Sequence, residues 1–210
     1  MKTKKMNRLL FIFLALAMTT VLSFSVWASD PQQGSSIMDP KEKAANVVAG
    51  EFLKELGAAL TAEMKKGGPT EAITMCTGLA PKIANRLSRG NGWRVTRVGT
   101  RVRNPLLGMP DAWEQEVLKQ FSTRAKDGER FTEMTYSEVV SEPGGQYFRF
   151  MKPIGIQPKC LLCHGTPQQI PEAIQDMLNK HYPHDAATGY KVGDLRGAVS
   201  IKYPIDGQGQ

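Results

Sequence analysis

The chain is poor in the residues that build disulfide frameworks and metal clusters. It has three cysteines and three histidines in 210 residues. Three cysteines cannot form a disulfide scaffold, and a chain of this length can support its own core without one. No heptad is sustained and no internal period of 20–50 residues recurs, so coiled-coil and repeat architectures are excluded. Long apolar runs are missing apart from one near the N-terminus, so a polytopic membrane protein is excluded as well. With 41% apolar and 22% charged residues, the composition is that of an ordinary globular chain.

Acidic residues are absent from the first 28 positions. Met1–Arg8 carries four basic residues, Leu9–Val26 is apolar apart from a few Ser and Thr, and Val26-Trp27-Ala28 follows. That order is the basic, apolar, small-residue sequence of an export signal cut after Ala28, giving residues 1–28 as a signal peptide. The other reading is an uncleaved membrane anchor, since the run is just long enough to span. The net charge of +7 falls to +3 once those four basic residues are removed from the 27 basic and 20 acidic of the whole. The basic balance therefore gives no ground for a nucleic-acid partner. The chain reads as periplasmic, or as membrane-attached through the N-terminal segment alone.

Residues 29–39 are polar and read as a flexible leader, and a folded domain is expected over 40–206. Apolar residues from Ala44 to Met64 recur at helical steps behind Asp39-Pro40, and Gly67-Gly68-Pro69 ends that helix. A second helix runs from about Thr70 to Ser88, with Ile73, Cys76, Ala80, Ile83 and Leu87 on one stripe. Pro81 is expected to kink or split it. Trp93–Arg103 alternates as a strand, Asp111–Lys126 reads as a third helix, and Phe131–Ser141 and Gln146–Ile156 read as strands. Ile170–His181 is a short helix and Leu195–Ile205 a last strand. Helices first and strands later predict an α+β fold, an antiparallel sheet with helices packed on it.

One motif carries chemistry. Cys160-Leu161-Leu162-Cys163-His164 is C-x-x-C-H, the attachment signature of c-type haem. Two thiols separated by two residues reach the two porphyrin vinyls from one turn, and the adjacent imidazole supplies an axial ligand to iron. Chance supplies this pattern on the order of 10⁻³ times in a chain of this composition. A zinc site would need two more ligands at suitable spacing, and a thioredoxin-like pair would need a βαβ setting. Export agrees with haem c, which is attached after the chain crosses the membrane. A second axial ligand can come from Cys76, from Met75, Met109, Met134 or Met151, from His181 or His184, from a lysine, or from nothing. Cys76 is the odd thiol once two are bound to haem, yet a free cysteine is commonly a small buried hydrophobe. Arg97, Arg101 and Arg103 are candidates to pair with haem propionates. Tyr147, Phe148 and Phe150 precede the motif and are candidates for the porphyrin face.

Several segments, in order, resemble the PAS-like single-haem c-type sensor domains. They are Met75–Ala84, Arg103-Asn104-Pro105 followed by Pro110–Glu114, Lys152-Pro153-Ile154 before Cys160–Gly165, and Gly193–Ser200. Together they lie between about Ala44 and Ile205. The resemblance implies one covalent haem held by Cys160 and Cys163, with His164 on one side of the iron and Cys76 on the other. It also implies a five-stranded antiparallel sheet with long N-terminal helices. Leu106-Leu107-Gly108-Met109 departs from the polar, Asn-containing stretch expected there, so Met109 stands as a competing ligand. The function implied is a redox or diatomic-gas sensor that signals to a partner protein, the alternative being a soluble periplasmic electron-transfer cytochrome c. A haem enzyme is disfavoured, because no distal acid–base pair is visible.

Overall fold

A computed structural model of the chain describes residues 31–205, less the side chains of 31–39 and 74–76. The N-terminal segment read as a signal therefore lies outside the described residues. Among the described residues no helix is long and apolar enough to cross a membrane.

The first element, α1 (Pro31–Asn91), is a helical hairpin. Its backbone leaves helical geometry at Gly68, where φ is 77° and ψ −167°. That region is essentially closed to residues with a Cβ, which explains why Gly67-Gly68-Pro69 turns the chain. The arms fold back on one another: Arg86 pairs with Glu51 at 3.3 Å and also with Glu55. Thirty-five residues of straight helix would hold Arg86 and Glu51 about 50 Å apart. Helical backbone begins at Pro31, inside the stretch read from sequence as a leader. Pro81 does not split the second arm as expected. Ile83 and Leu87 anchor the turns beyond it in the core, and the backbone stays helical through it.

Four strands follow: β1 (Arg94–Gly99), β2 (Tyr136–Glu142), β3 (Gly145–Gly155) and β4 (Leu195–Pro204). They form one antiparallel sheet in the order β1-β4-β3-β2, with the last strand inserted between the first and third. Between β1 and β2 lie α2 (Pro105–Gly108) and α3 (Ala112–Lys126); between β3 and β4 lie α4 (Leu161–His164) and α5 (Glu172–His181). The fold is thus α+β, as the element order predicts. The five-stranded sheet implied by the resemblance is corrected to four strands among the described residues. The segment ahead of β4 spends its backbone N–H groups elsewhere: Ala186 donates to Val102, Gly189 to Gly165 and Tyr190 to His164.

Strand alternation gives the sheet two apolar faces. Val95, Phe148, Phe150, Val199 and Ile201 pack beneath α1 with Ala45, Ala49, Phe52, Ile83 and Leu87. Val98, Met151 and Ala198 point the other way, onto Val117, Leu118 and Phe121 of α3. Gly197 lets β4 approach β1 closely. Its φ is 153°, and a Cβ there would lie 2.0 Å from the Val98 carbonyl oxygen.

On the α3 side a cation is buried. Arg149, 2% exposed, meets Asp111 at 2.6 Å, Glu142 at 3.2 Å and Glu114 at 3.5 Å, and lies 4.2 Å over the Trp113 ring. Asp111 also caps α3: it accepts from the Glu114 N–H at 2.8 Å, while Glu114 accepts from the Asp111 N–H at 2.8 Å. Burial alone would raise the Asp111 carboxyl. The Arg149 hydrogen bond, the Glu114 N–H and the positive charge of Arg149 and Arg94 outweigh it and hold Asp111 below its ordinary 3.8.

Two predictions follow from this network. Arg149→Ala leaves the buried Glu114 carboxylate facing a cavity without its cation, while Glu142 keeps Lys202, and should cost about 3 kcal/mol of unfolding free energy in a urea titration. A folded pKa below the unfolded one means that Asp111 stabilises above its unfolded pKa and loses that contribution as pH falls through the folded value. Asp111→Asn, which keeps the cap, should therefore flatten the acid limb of Tm against pH below about 4, by a modest amount because the group is partly exposed.

Candidate functional site

The C-x-x-C-H motif sits where β3 leaves the sheet. Pro158–Cys160 forms a single 3₁₀ turn that runs into α4. Gly165 closes the turn by donating to the Leu161 carbonyl at 2.9 Å, and a Cβ at 165 would stand 2.6 Å from that oxygen. Both thiols are half-buried, and the two are not joined in a disulfide. Cys160 packs on the cluster of Ile156, Ala187 and Tyr190. Cys163 packs on the cluster in which Ile73 of α1 meets Ile170, Ile174 and Leu178. The motif is therefore wedged between the strap ahead of β4 on one side and α1 with α5 on the other.

His164 is oriented by that strap. Its Nδ1 donates to the Ala187 carbonyl at 2.7 Å. The Tyr190 N–H donates back to the His164 carbonyl at 2.9 Å, and the two rings meet edge to face at 6.1 Å. The strap is itself fastened: the Tyr190 hydroxyl lies 2.8 Å from Thr100 Oγ1 and accepts from the Arg101 N–H at 3.0 Å. A carbonyl only accepts, so the 2.7 Å contact with Ala187 outweighs the longer 3.3 Å approach of Arg103 Nη2 and assigns the proton to Nδ1, leaving Nε2 as the lone pair. Burial first, and then the charges of Arg103, Arg196 and Arg97, hold His164 well below the ordinary 6.5 against the pull of the Ala187 hydrogen bond. Neutral imidazole is the form that ligates a metal.

Arg103 joins this turn to the rest of the molecule. Its Nη2 donates to the Cys163 carbonyl at 2.5 Å and its Nε to Asp185 at 2.8 Å, with both side chains largely buried. Asp185 in turn accepts from the Ala187 N–H at 2.7 Å. Arg103 also lines a cavity of about 220 Å³ between the second arm of α1, β1 and the loop carrying α2. Thr77, Ala80 and Ala84 form one wall, Val95, Arg97 and Gly99 another, and Arg196 closes it from β4. Three guanidinium groups thus gather with one carboxylate, Asp185. Burial, and next the neighbouring Arg97, bring Arg196 down to about 10; Tyr190 opposes that, Arg103 adds to it and Asp185 resists. Such a cluster favours an anionic guest.

The structure brings Cys160, Cys163 and His164 onto one turn. Cys76 lies within the helical backbone of α1, and its side chain, like that of Met75, is outside the described residues. Met134 and Met151 are fully buried in the α3-side core, across the sheet from the cavity, and Met109 is 60% exposed. His181 ends α5 and His184 is exposed. Arg101 turns away from the cavity onto the Tyr190 ring at 4.1 Å and the Thr188 carbonyl. Phe148 and Phe150 are core residues under α1, whereas Phe52 reaches the cavity. Sequence reasoning assigned no role to Asp185, Ala187, Tyr190 and Arg196. Arg196 lies in the Gly193–Ser200 segment already singled out, but its distance of a hundred residues from β1 concealed the contact. Among the described residues no group of three His, Cys, Asp or Glu is placed to hold a metal ion, so Cys160 and Cys163 do not belong to a tetrahedral cluster there.

No curated protein matches this chain. Among solved structures, it is similar to the crystal structure of the cyanobacterial heme-protein Tll0287, at 25% identity and a TM-score of 0.57, over 86% of this chain and 100% of that one. The model of the Tll0287-like family matches residues 27–204. The chain, from the helical hairpin to β4, belongs to the Tll0287-like family.

Proposed function

We propose that this chain is an exported, periplasmic protein carrying one covalent c-type haem in the arginine-walled cavity, and that it serves as a redox or diatomic-gas sensor. Cys160 and Cys163 would hold the haem through thioether bonds, His164 would be one axial ligand and Cys76 the other. The observation that carries this reading is the setting of His164: a half-buried imidazole whose Nδ1 donates to the Ala187 carbonyl, one residue from a thiol and four from another. The relation to a heme-protein over nearly the whole chain supports it.

The residues present fit the group. The two half-buried thiols lie on one tight turn, and the cluster of Arg97, Arg103 and Arg196 is matched to two propionates. Register supports Cys76. Ile73, three residues before it, belongs to the cluster on which Cys163 packs, and Ala80 and Ala84, one and two helical turns after it, line the cavity. When bound, the haem supplies a one-electron iron couple and an axial position. The protein's part is to hold the imidazole neutral and aimed, to neutralise the propionates, and to present a thiolate that favours ferric iron. A ligand that weakens its hold on reduction gives a sensor its switch. A soluble electron carrier would instead keep the same ligands in both states.

Expressed with a c-haem maturation system, the protein should keep one haem by mass after denaturation, and Cys160→Ala with Cys163→Ala should lose it. Ferric EPR should give the narrow low-spin spread of thiolate ligation, and Cys76→Ser should abolish it; an unchanged signal would remove Cys76 from the iron. Ferrous protein that binds CO supports the switch, and refusal of CO favours the carrier. Arg196→Gln removes a positive charge that disfavours ferric iron. Its midpoint potential should therefore fall in a redox titration while the covalent haem is retained, and an unchanged potential would take Arg196 out of the haem's surroundings.

A further inference from the structure

The basic residues are not spread evenly. From Ala72 to Pro110 the chain holds seven basic residues, Lys82, Arg86, Arg89, Arg94, Arg97, Arg101 and Arg103, and no acidic one. The rest of residues 29–210 holds 16 basic and 20 acidic residues, so the positive balance of the exported portion lies in this stretch alone. The same stretch supplies the α1, β1 and α2 walls of the cavity. Arg86 pairs with Glu51 and Glu55, and Arg103 with Asp185. Lys82 and Arg89 face solvent on the second arm of α1.

The edge of the cavity is apolar. Leu107 and Gly108 line it, and beside them Leu106 is 90% and Met109 60% exposed. Asn104 accepts from the Leu106 N–H at 3.1 Å, and Pro105 occupies the first helical position, so the lip is held rigid. Single exposed apolar residues need no explanation, but an apolar lip at the edge of a cavity lined by Arg97, Arg103 and Arg196, with exposed Lys82 next to cavity-lining Pro81, has the composition of an interface core with a charged rim. Small, low-affinity interfaces between redox proteins have this form, because apolar contact at the centre is released easily while charge steers the approach.

We infer that the lip formed by Leu106, Leu107 and Met109, with its basic surround, is the docking surface for an acidic-faced electron-carrier protein, which exchanges one electron with the iron at this edge of the cavity. The inference rests on the haem reading for its purpose, but the surface itself does not depend on it. The balance is simple: the carrier loses one electron and ferric iron becomes ferrous, or the reverse, with no bond made or broken in the partner.

The test is isothermal titration of the haem-loaded protein with oxidised flavodoxin as the acidic probe. Binding should weaken at least about tenfold between about 20 and about 200 mM NaCl, because the rim charges are screened within that range. Lys82→Glu should weaken it about tenfold at low salt, and Leu106→Ser with Met109→Ser severalfold at both salts. Lys126→Glu, the same charge reversal at the end of α3 on the other face of the sheet, should leave it unchanged. Absence of binding at low salt, or equal loss in Lys126→Glu and Lys82→Glu, overturns the proposal. So does binding of the protein to phosphatidylglycerol vesicles, lost in Lys82→Glu, with none to flavodoxin. The visible spectrum of each sample reports haem separately. A chain that binds the probe with this pattern of variants but carries no haem retains the docking surface and refutes the haem reading.

Discussion

Arg103 is the group on which the geometry of the site depends. It reaches from the loop after β1 to the Cys163 carbonyl and to Asp185, partners sixty and eighty-two residues further along the chain. A planar guanidinium can do this because its donors are fixed in a fork, so one contact sets the direction of the next. Asp185, held in this way, accepts from the Ala187 N–H, and the Ala187 carbonyl accepts from His164. The position of the imidazole is therefore set by a short relay of hydrogen bonds that begins at Arg103, in the loop after β1. With Arg103 and Asp185 largely buried, neither water nor salt competes strongly for the pair.

The same local field has a second effect. Arg97, Arg103 and Arg196 converge because antiparallel pairing brings the end of β1 beside the start of β4, and Gly197 permits that approach. Burial lowers Arg196 first, and the neighbouring Arg97 and Arg103 lower it further, so an anion joining the three cations would relieve a cost. The charge that depresses His164 is thus also the charge that would receive carboxylates from a guest. On the opposite face of the sheet the arrangement is inverted: one buried cation, Arg149, is surrounded by Asp111, Glu114 and Glu142, with its Nε left without a hydrogen-bond partner. One network ties the sheet to α3; the other faces the cavity.

Much of the fold was legible in the sequence for local reasons. Apolar periodicity placed the helices and strands, because each element buries one face, and Gly67-Gly68-Pro69 marked the hairpin because few residues adopt the dihedrals of Gly68. Pro81 does not interrupt the helix, whose following turns are anchored in the core by Ile83 and Leu87. The residue pattern alone gives four strands, the number in the sheet; a fifth was implied only by the family resemblance. Arg101 was grouped with Arg97 and Arg103 by spacing, but its side chain stacks on Tyr190, a partner eighty-nine residues away.

For this protein the sequence by itself determined the α+β class, the positions of most elements and the turn bearing Cys160, Cys163 and His164, because periodicity, glycine and proline constraints, and the C-x-x-C-H spacing all act over a few residues. The tertiary structure alone decided which imidazole nitrogen is left unprotonated, which arginines meet, and that Arg196 rather than Arg101 closes the cavity. Those outcomes depend on hydrogen bonds and charges brought together by the β1–β4 pairing and by the strap at Ala187 and Tyr190, and long-range contacts of that kind leave no periodic trace in the chain.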